Sequence, residues 1–326
     1  MNYPFIKEYF VNKTFPFLTN NDIIPGLGVE VKKQNDWQLW VLLLPALLYF
    51  FVFCYLPMYG IQIAFRDYKA VFGILGSKWV GLKNFSDFFS TYYFARLLGN
   101  TFLLNIFGLL WGFPIPIILA ISLNQIEHPL YKKLVQTSIY IPHFISTVVM
   151  VGMLYLFLSP SNGIFNKFIG MAGGAPIYFM AEPGWFRTLF IGSDIWQHAG
   201  WSTILYIATL TGIDPELYEA ATVDGATKGQ KIWHIDIPHL MPIAVMMLIL
   251  SCGSLLISNT DKALLMKTAA NSARSDIIGV YVYEMGLGKA QFSYTAAIGL
   301  FTNVINFITI MIVNSVSKKL NETSLF

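Results

Sequence analysis

Residues 216–242 read "ELYEAATVDGATKGQKIWHIDIPHLMP". This is the most polar long stretch in the second half of an apolar chain, and it lies between two runs long enough to cross a bilayer. Asp214 caps the free N–H groups of a first turn, and Pro215 suits the first helical position. Leu217, Ala220 and Ala221 then share one face by i, i+3, i+4 spacing, with Glu219 beside them. Two small residues let another surface approach the backbone closely. Gly225 supplies a left-handed stop, and Thr227 with Gln230 forms a capping box that opens a second helix. That helix carries Ile232 and Trp233 and is expected to end before Pro238. A small-residue face with one carboxylate suits a protein groove better than the bilayer surface, where interfacial helices use large apolar side chains.

The chain around it is of the membrane class. Of 326 residues, 55% are hydrophobic and 12% charged, about half the charged share of a soluble domain. A net charge of +3 points to neither nucleic acid nor an acidic partner. Cys54 and Cys252 both sit in apolar runs and read as inert thiols. No secretory signal is expected, because charges interrupt the first 38 residues. Six stretches reach spanning length, at about 39–64, 97–121, 135–159, 188–212, 241–258 and 292–316. In lipid they must be helical, so the fold class is all-α integral membrane. Pro45, Pro57, Pro114, Pro116 and Pro142 predict kinks. The doublets Lys32-Lys33, Lys132-Lys133 and Lys318-Lys319 fall on one side, which makes that side cytoplasmic together with both termini.

Polar groups inside the spans are candidate binding residues. Asp194 is the acidic residue placed within a span, and His198 lies one turn on and can pair with it. "DIWQHAGW" (194–201) combines Trp196, Gln197, His198 and Trp201, a set suited to stacking on sugar C–H faces and bonding hydroxyls. Ser251, Ser254 and Ser258 share a face by helical spacing, with Asn259 next; small hydroxyl residues also serve tight helix packing. Tyr140 and His143 are further candidates. Asn303 and Asn306 lie at i, i+3 in the sixth span and either face the same cavity or bond between helices. No catalytic set appears, the Walker phosphate loop is absent, and the histidines lack metal-ligand spacing.

Glu219-Ala220-Ala221, Asp224-Gly225-Ala226, Ile235 and Pro238 follow the spacing E-A-A-x-x-D-G-A-x8-I-x-x-P over twenty residues. This resembles the EAA loop of ABC importer permeases. "WVGLKNFSDFF" (79–89), "RLLGNTFLLN" (96–105), "GFPIPIILAISLNQI" (112–126), "YIPHFIS" (140–146), "GIDPELYEAA" (212–221) and "KAQFSYTAAIGLF" (289–301) are similar to the maltose-type permeases, nearest to those importing oligosaccharides and polysaccharide fragments.

The resemblance implies a six-helix type I importer permease domain over 37–317, with a coupling loop at 213–240, a cytoplasmic arm at 1–36 and a cytoplasmic tail at 318–326. It implies a bacterial cytoplasmic membrane, a second non-identical permease, two ATPase subunits that hold ATP and Mg, and an extracytoplasmic binding protein. No cofactor and no metal is expected in this chain, nor an enzymatic site of its own. Leu217, Glu219, Ala220, Ala221, Asp224, Gly225 and Pro238 become the ATPase-coupling residues, and Gln197, His198 and Trp201 fall where the family lines its sugar site. The segment "SNTDKALLMKTAANSARSD" (258–276) departs from the family's more apolar pattern. The rival readings are a secondary transporter with Asp194 and His198 as a proton relay, and a membrane scaffold without transport.

Overall fold

The computed structural model describes residues 37–321. The expected N-terminal arm and the last five residues lie outside them. The backbone divides into two compact units at Tyr59 and Gly60.

In the first unit, α1 (Trp37–Phe50) contains Pro45 and runs into a π-turn at Phe51–Tyr55, followed by a helical turn at Leu56–Met58. The Leu56 N–H bonds back five residues to the Phe51 carbonyl. Pro57 lacks an N–H, and its ring would strike a carbonyl four residues back in a regular helix. The wider π-turn ahead of it absorbs both effects.

In the second unit, β1 (Arg66–Lys69) and β2 (Ser77–Trp79) form a small antiparallel hairpin with Arg66 opposite Trp79. The helices follow in order: α2 (Lys83–Phe89), α3 (Phe94–Gly112), α4 (Pro114–Asn124), α5 (Pro129–Tyr140), α6 (Thr147–Phe157) and α7 (Ile164–Met171). Next come the 29-residue α8 (Pro183–Thr211) and the short α9 (Pro215–Val223). Then α10 (Ile237–Cys252), α11 (Thr260–Met266), α12 (Ile278–Tyr283) and α13 (Phe292–Asn321) complete the unit.

Four helical stretches are long and apolar enough to cross a membrane among the described residues: Leu39–Phe65, Phe94–Asn124, Lys228–Cys252 and Phe292–Lys319. A fifth appears if the pair Pro129–Phe144 and Thr147–Phe157 counts as one span; it is bent by 100°. Helix α8 has the length to cross, about 43 Å at 1.5 Å per residue, but Ser193, Asp194, Gln197 and His198 make it more polar.

The expected third span, 135–159, is therefore not one straight helix. Pro142 sits in a 3-10 turn at Ile141–Phe144, and Ser146 then caps α6 by accepting from the Val149 N–H at 3.3 Å. The fifth span ends at Cys252 rather than 258. The helix expected to stop before Pro238 continues instead. Lys228–Lys231 passes through a π-turn at Ile232–Asp236 into α10, with the Ile237 N–H bonded to the Ile232 carbonyl. The device at Pro57 is thus repeated at Pro238. The expected tail from 318 begins as helix, because α13 extends to Asn321.

Three buried clusters hold the second unit together. Leu104, Val151, Phe186, Phe190, Ala263 and Val280 join α3, α6, α8, α11 and α12. Ala120, Tyr206, Leu210, Leu240 and Ala244 join α4, α8 and α10 at the α9 end. Phe88, Leu97, Ile278 and Ile298 join α2, α3, α12 and α13. Helix α8 is central to two of them. Its Gly200 lies so close to α5 that any Cβ there would strike the Ile139 carbonyl.

Candidate transport site and coupling helix

A cavity of about 860 Å³ opens between α3, α4, α8 and α10, within the range of small-molecule sites. Asp194, His198, Trp201, Ser251, Ser254, Ser258 and Asn259 all line it. The serines do not form a helical stripe, because α10 ends at Cys252; the turn that follows carries Ser254 and Ser258 to the same wall. Ser251 donates to the Met247 carbonyl at 2.8 Å and Ser254 to the Ser251 carbonyl at 3.0 Å. Each hydroxyl keeps acceptor capacity toward the cavity. Asn259 caps α11 by accepting from the Lys262 N–H at 3.1 Å.

Asp194 is not left with His198 alone. His198 Nδ1 lies 3.6 Å from Asp194 Oδ1, and the wholly buried Lys262 Nζ lies 3.2 Å from the same oxygen. Lys262 also stands 4.9 Å from the Phe190 ring centroid. A lysine removed from water needs such a counter-charge. His143 stacks on Trp201 at 4.4 Å with an interplanar angle of 6°, and meets His198 edge-on at 5.5 Å. The three rings build an aromatic wall, although His143 itself lies behind the lining.

Other candidates sit elsewhere. Gln197 is buried and donates to the Ile145 carbonyl at 2.6 Å, so it pins the elbow of the broken helix rather than facing the cavity. Trp196 is half-exposed and Tyr140 half-buried, both outside the lining. Asn303 is exposed, whereas the buried Asn306 accepts from the Leu256 N–H at 3.0 Å and so ties α13 to the turn that follows α10. Asn105 and Ser202 also join the lining, although no spacing in the sequence singles them out.

The divergent segment 258–276 is firmly held. Asn271 is buried and donates to the carbonyls of Met180 and Met266 at 2.8 and 2.9 Å. Lys267 lies 2.8 Å from Asp276 and 2.6 Å from Glu284. Burial alone would pull its ammonium down, but the two carboxylates outweigh it and hold Lys267 above the usual lysine range.

At the opposite end of α8, α9 forms with its cap as the sequence predicts: Asp214 accepts from the Glu216 N–H at 3.0 Å. Gly225 takes φ 75°, and the Ala226 N–H bonds to the Ala221 carbonyl at 2.9 Å. This is a left-handed helix stop. Thr227 and Gln230 form the reciprocal capping box. Leu217, Glu219, Ala220 and Asp224 are exposed, Ala221 is half-buried and Pro238 is exposed. Helix α9 buries no residue completely, yet it is anchored. The Tyr218 hydroxyl donates to Asp236 Oδ1 at 2.5 Å, and Gln125 Nε2 donates to Asp236 Oδ2 at 3.1 Å. Burial first, then the bond to the Asp236 carboxylate, push the Tyr218 phenol up to about 12.

Residues 112–322, which contain α9 and the α4, α8 and α10 walls of the cavity, match the family described as binding-protein-dependent transport system inner membrane component. The chain belongs to this family. It is 43% identical over 296 residues to the polygalacturonan/rhamnogalacturonan transport system permease protein YteP of Bacillus subtilis (strain 168), covering 91% of this chain and 92% of that one. Its fold matches that of a bacterial ABC transporter involved in the import of the acidic polysaccharide alginate, with a TM-score of 0.81 and 36% identity, over 88% of this chain and 96% of that one. It also matches the bacterial alginate ABC transporter in complex with an alginate pentasaccharide-bound periplasmic protein, with a TM-score of 0.82 and 36% identity, over 89% and 97%. The chain is thus a membrane-embedded permease subunit.

Proposed function

We propose that this permease is one of two non-identical membrane subunits of an ATP-driven importer for oligosaccharides that contain uronic acids. It has six spans, with α8 and the bent α5–α6 pair completing the set, in a bacterial cytoplasmic membrane with both termini inside. Helix α9 seats in a cleft of a cytoplasmic ATPase subunit. Glu219 meets a basic group there, while Leu217, Ala220 and Ala221 form the close contact. Gly225, Asp224 and Pro238 fix the shape of the hairpin. ATP and Mg are held by two such ATPase subunits, and an extracytoplasmic binding protein delivers the sugar. ATP-driven closure moves the two coupling helices together, and the spans respond as rigid bodies.

The observation that carries this reading is α9 itself, a capped helix pinned through Tyr218 with Leu217, Glu219 and Ala220 exposed. The substrate class is supported by the acidic polysaccharides named for the relatives. It is also supported by the charge balance of the wall: Lys262 neutralises Asp194, so the cavity does not repel a carboxylate. Trp201 and His198 supply a stacking face and a donor. The test is uptake into proteoliposomes holding the full assembly. Labelled oligogalacturonate enters only with ATP inside and binding protein outside, and a neutral oligosaccharide of the same length competes poorly. ATP-independent entry contradicts the mechanism, and preference for the neutral sugar contradicts the substrate class.

A further inference from the structure

Asp236 is 0% exposed, and both of its carboxylate oxygens are taken, one by Tyr218 of α9 and one by Gln125 just beyond α4. Asp236 closes the π-turn that leads into α10. One buried side chain therefore joins three segments: the exposed hairpin, the end of α4 and the start of α10. No lysine, arginine or histidine forms an ion pair with Asp236 among the described residues. A buried carboxylate without a cation depends on its hydrogen-bond donors, because losing one leaves a desolvated charge short of a partner. Tyr218 and Ile235 also pack against the cluster formed by α4, α8 and α10, while the ties that the hairpin makes through its lysines are exposed. Lys231 reaches Thr222 within the hairpin at 2.6 Å, and Lys228 reaches Glu127 at the surface at 3.1 Å. Exposed pairs of this kind contribute little stiffness. The π-turn adds one residue to the helical repeat at this point and so sets where Asp236 faces.

We propose that Tyr218, Asp236 and Gln125 form the transmission joint of the importer, positioning residues that make α9 move as one body with the adjoining ends of α4 and α10. The proposal rests on the functional reading above. A docking helix without this joint still binds its motor, but its displacement is lost in the hinge on either side of it. The joint then decides how many sugars cross per ATP hydrolysed, not how fast ATP is hydrolysed.

The experiment measures labelled oligogalacturonate uptake and ATP hydrolysis together in proteoliposomes with the complete transporter. Tyr218→Phe removes only the hydroxyl; sugar moved per ATP is expected to fall roughly tenfold, the factor for one hydrogen bond to a charged group, while hydrolysis continues. Asp236→Asn is expected to stay near wild type, because its amide oxygen accepts from Tyr218 and its amide nitrogen donates to Gln125 once that side chain turns over. Gln125→Leu severs the other oxygen and carries the same expectation as Tyr218→Phe, so it decides the question should the latter fail to assemble. A wild-type ratio of sugar to ATP in Tyr218→Phe and Gln125→Leu overturns the joint, as does a proportional fall of uptake and hydrolysis. A wild-type assembly that hydrolyses ATP without moving sugar would overturn the functional reading instead.

Discussion

Lys262 Nζ, with no exposed surface, lies 3.2 Å from Asp194 Oδ1 on the wall of the membrane cavity. Each charge compensates the other, so the pair must be tested as a pair. Lys262→Met leaves Asp194 on the cavity wall with only His198 beside it. Because Asp194 is 43% exposed, the expected destabilisation is about 1–2 kcal/mol, below that of a fully buried pair. The double variant Lys262→Met/Asp194→Asn should recover most of it. Thermal unfolding of the purified complex in a double-mutant cycle gives the coupling directly; purely additive effects would mean that the pair is not coupled.

Trp201 and Gln197 lie four residues apart on α8 and should fail in different ways. Trp201→Ala removes the ring stacked on His143, which should raise the KM for sugar up to about tenfold with assembly intact. Gln197→Ala frees the Ile145 carbonyl at the helix elbow and should lower the Tm of the complex with little change in KM. Transport kinetics and a melting curve on the same preparations separate the two roles. Equal shifts in both quantities for both variants would contradict the assignment.

Gly200 is tested by a single methyl. Gly200→Ala places a Cβ against the Ile139 carbonyl, and relieving that clash should cost about 1–3 kcal/mol despite the better helix propensity of alanine. The amount of folded complex and its Tm report it. A variant as stable as wild type would show that α5 can retreat from α8.

Glu219→Ala and Gly225→Val act on α9 without touching the cavity. Valine at φ 75° is strained by roughly 1–2 kcal/mol, enough to open the hairpin turn. Both variants should retain the binding of sugar-loaded binding protein while losing most ATP-driven uptake. Near-normal uptake in both would remove α9 from the coupling route.

Much of this is legible in the sequence. The Asp214 cap, the Gly225 turn and the Thr227–Gln230 box are local, and local chemistry dictates them. The elbow at Pro142 is readable only as a kink, because the bend depends on Gln197 reaching the Ile145 carbonyl across 52 residues. Lys262 is hidden in the sequence because Asp261-Lys262 reads as an ordinary solvated pair; a carboxylate within a span, with only the histidine His198 to pair with it, is the one signal that a buried cation should be sought. Asp236 is hidden for the same reason in reverse. Next to Pro238 it looks like the end of a helix, whereas the π-turn carries the helix through and turns its carboxylate inward. The serines reach the cavity wall by a turn that no periodicity could describe.

The most direct test of the central claim places a cysteine at Ala220 in a Cys54→Ser, Cys252→Ser background and measures its labelling by a bulky soluble maleimide. With the ATPase subunits present, labelling should fall by at least roughly tenfold relative to the permease alone, and a short bifunctional reagent should join this position to the ATPase. Equal labelling with and without the ATPase, and no crosslink, would contradict the account.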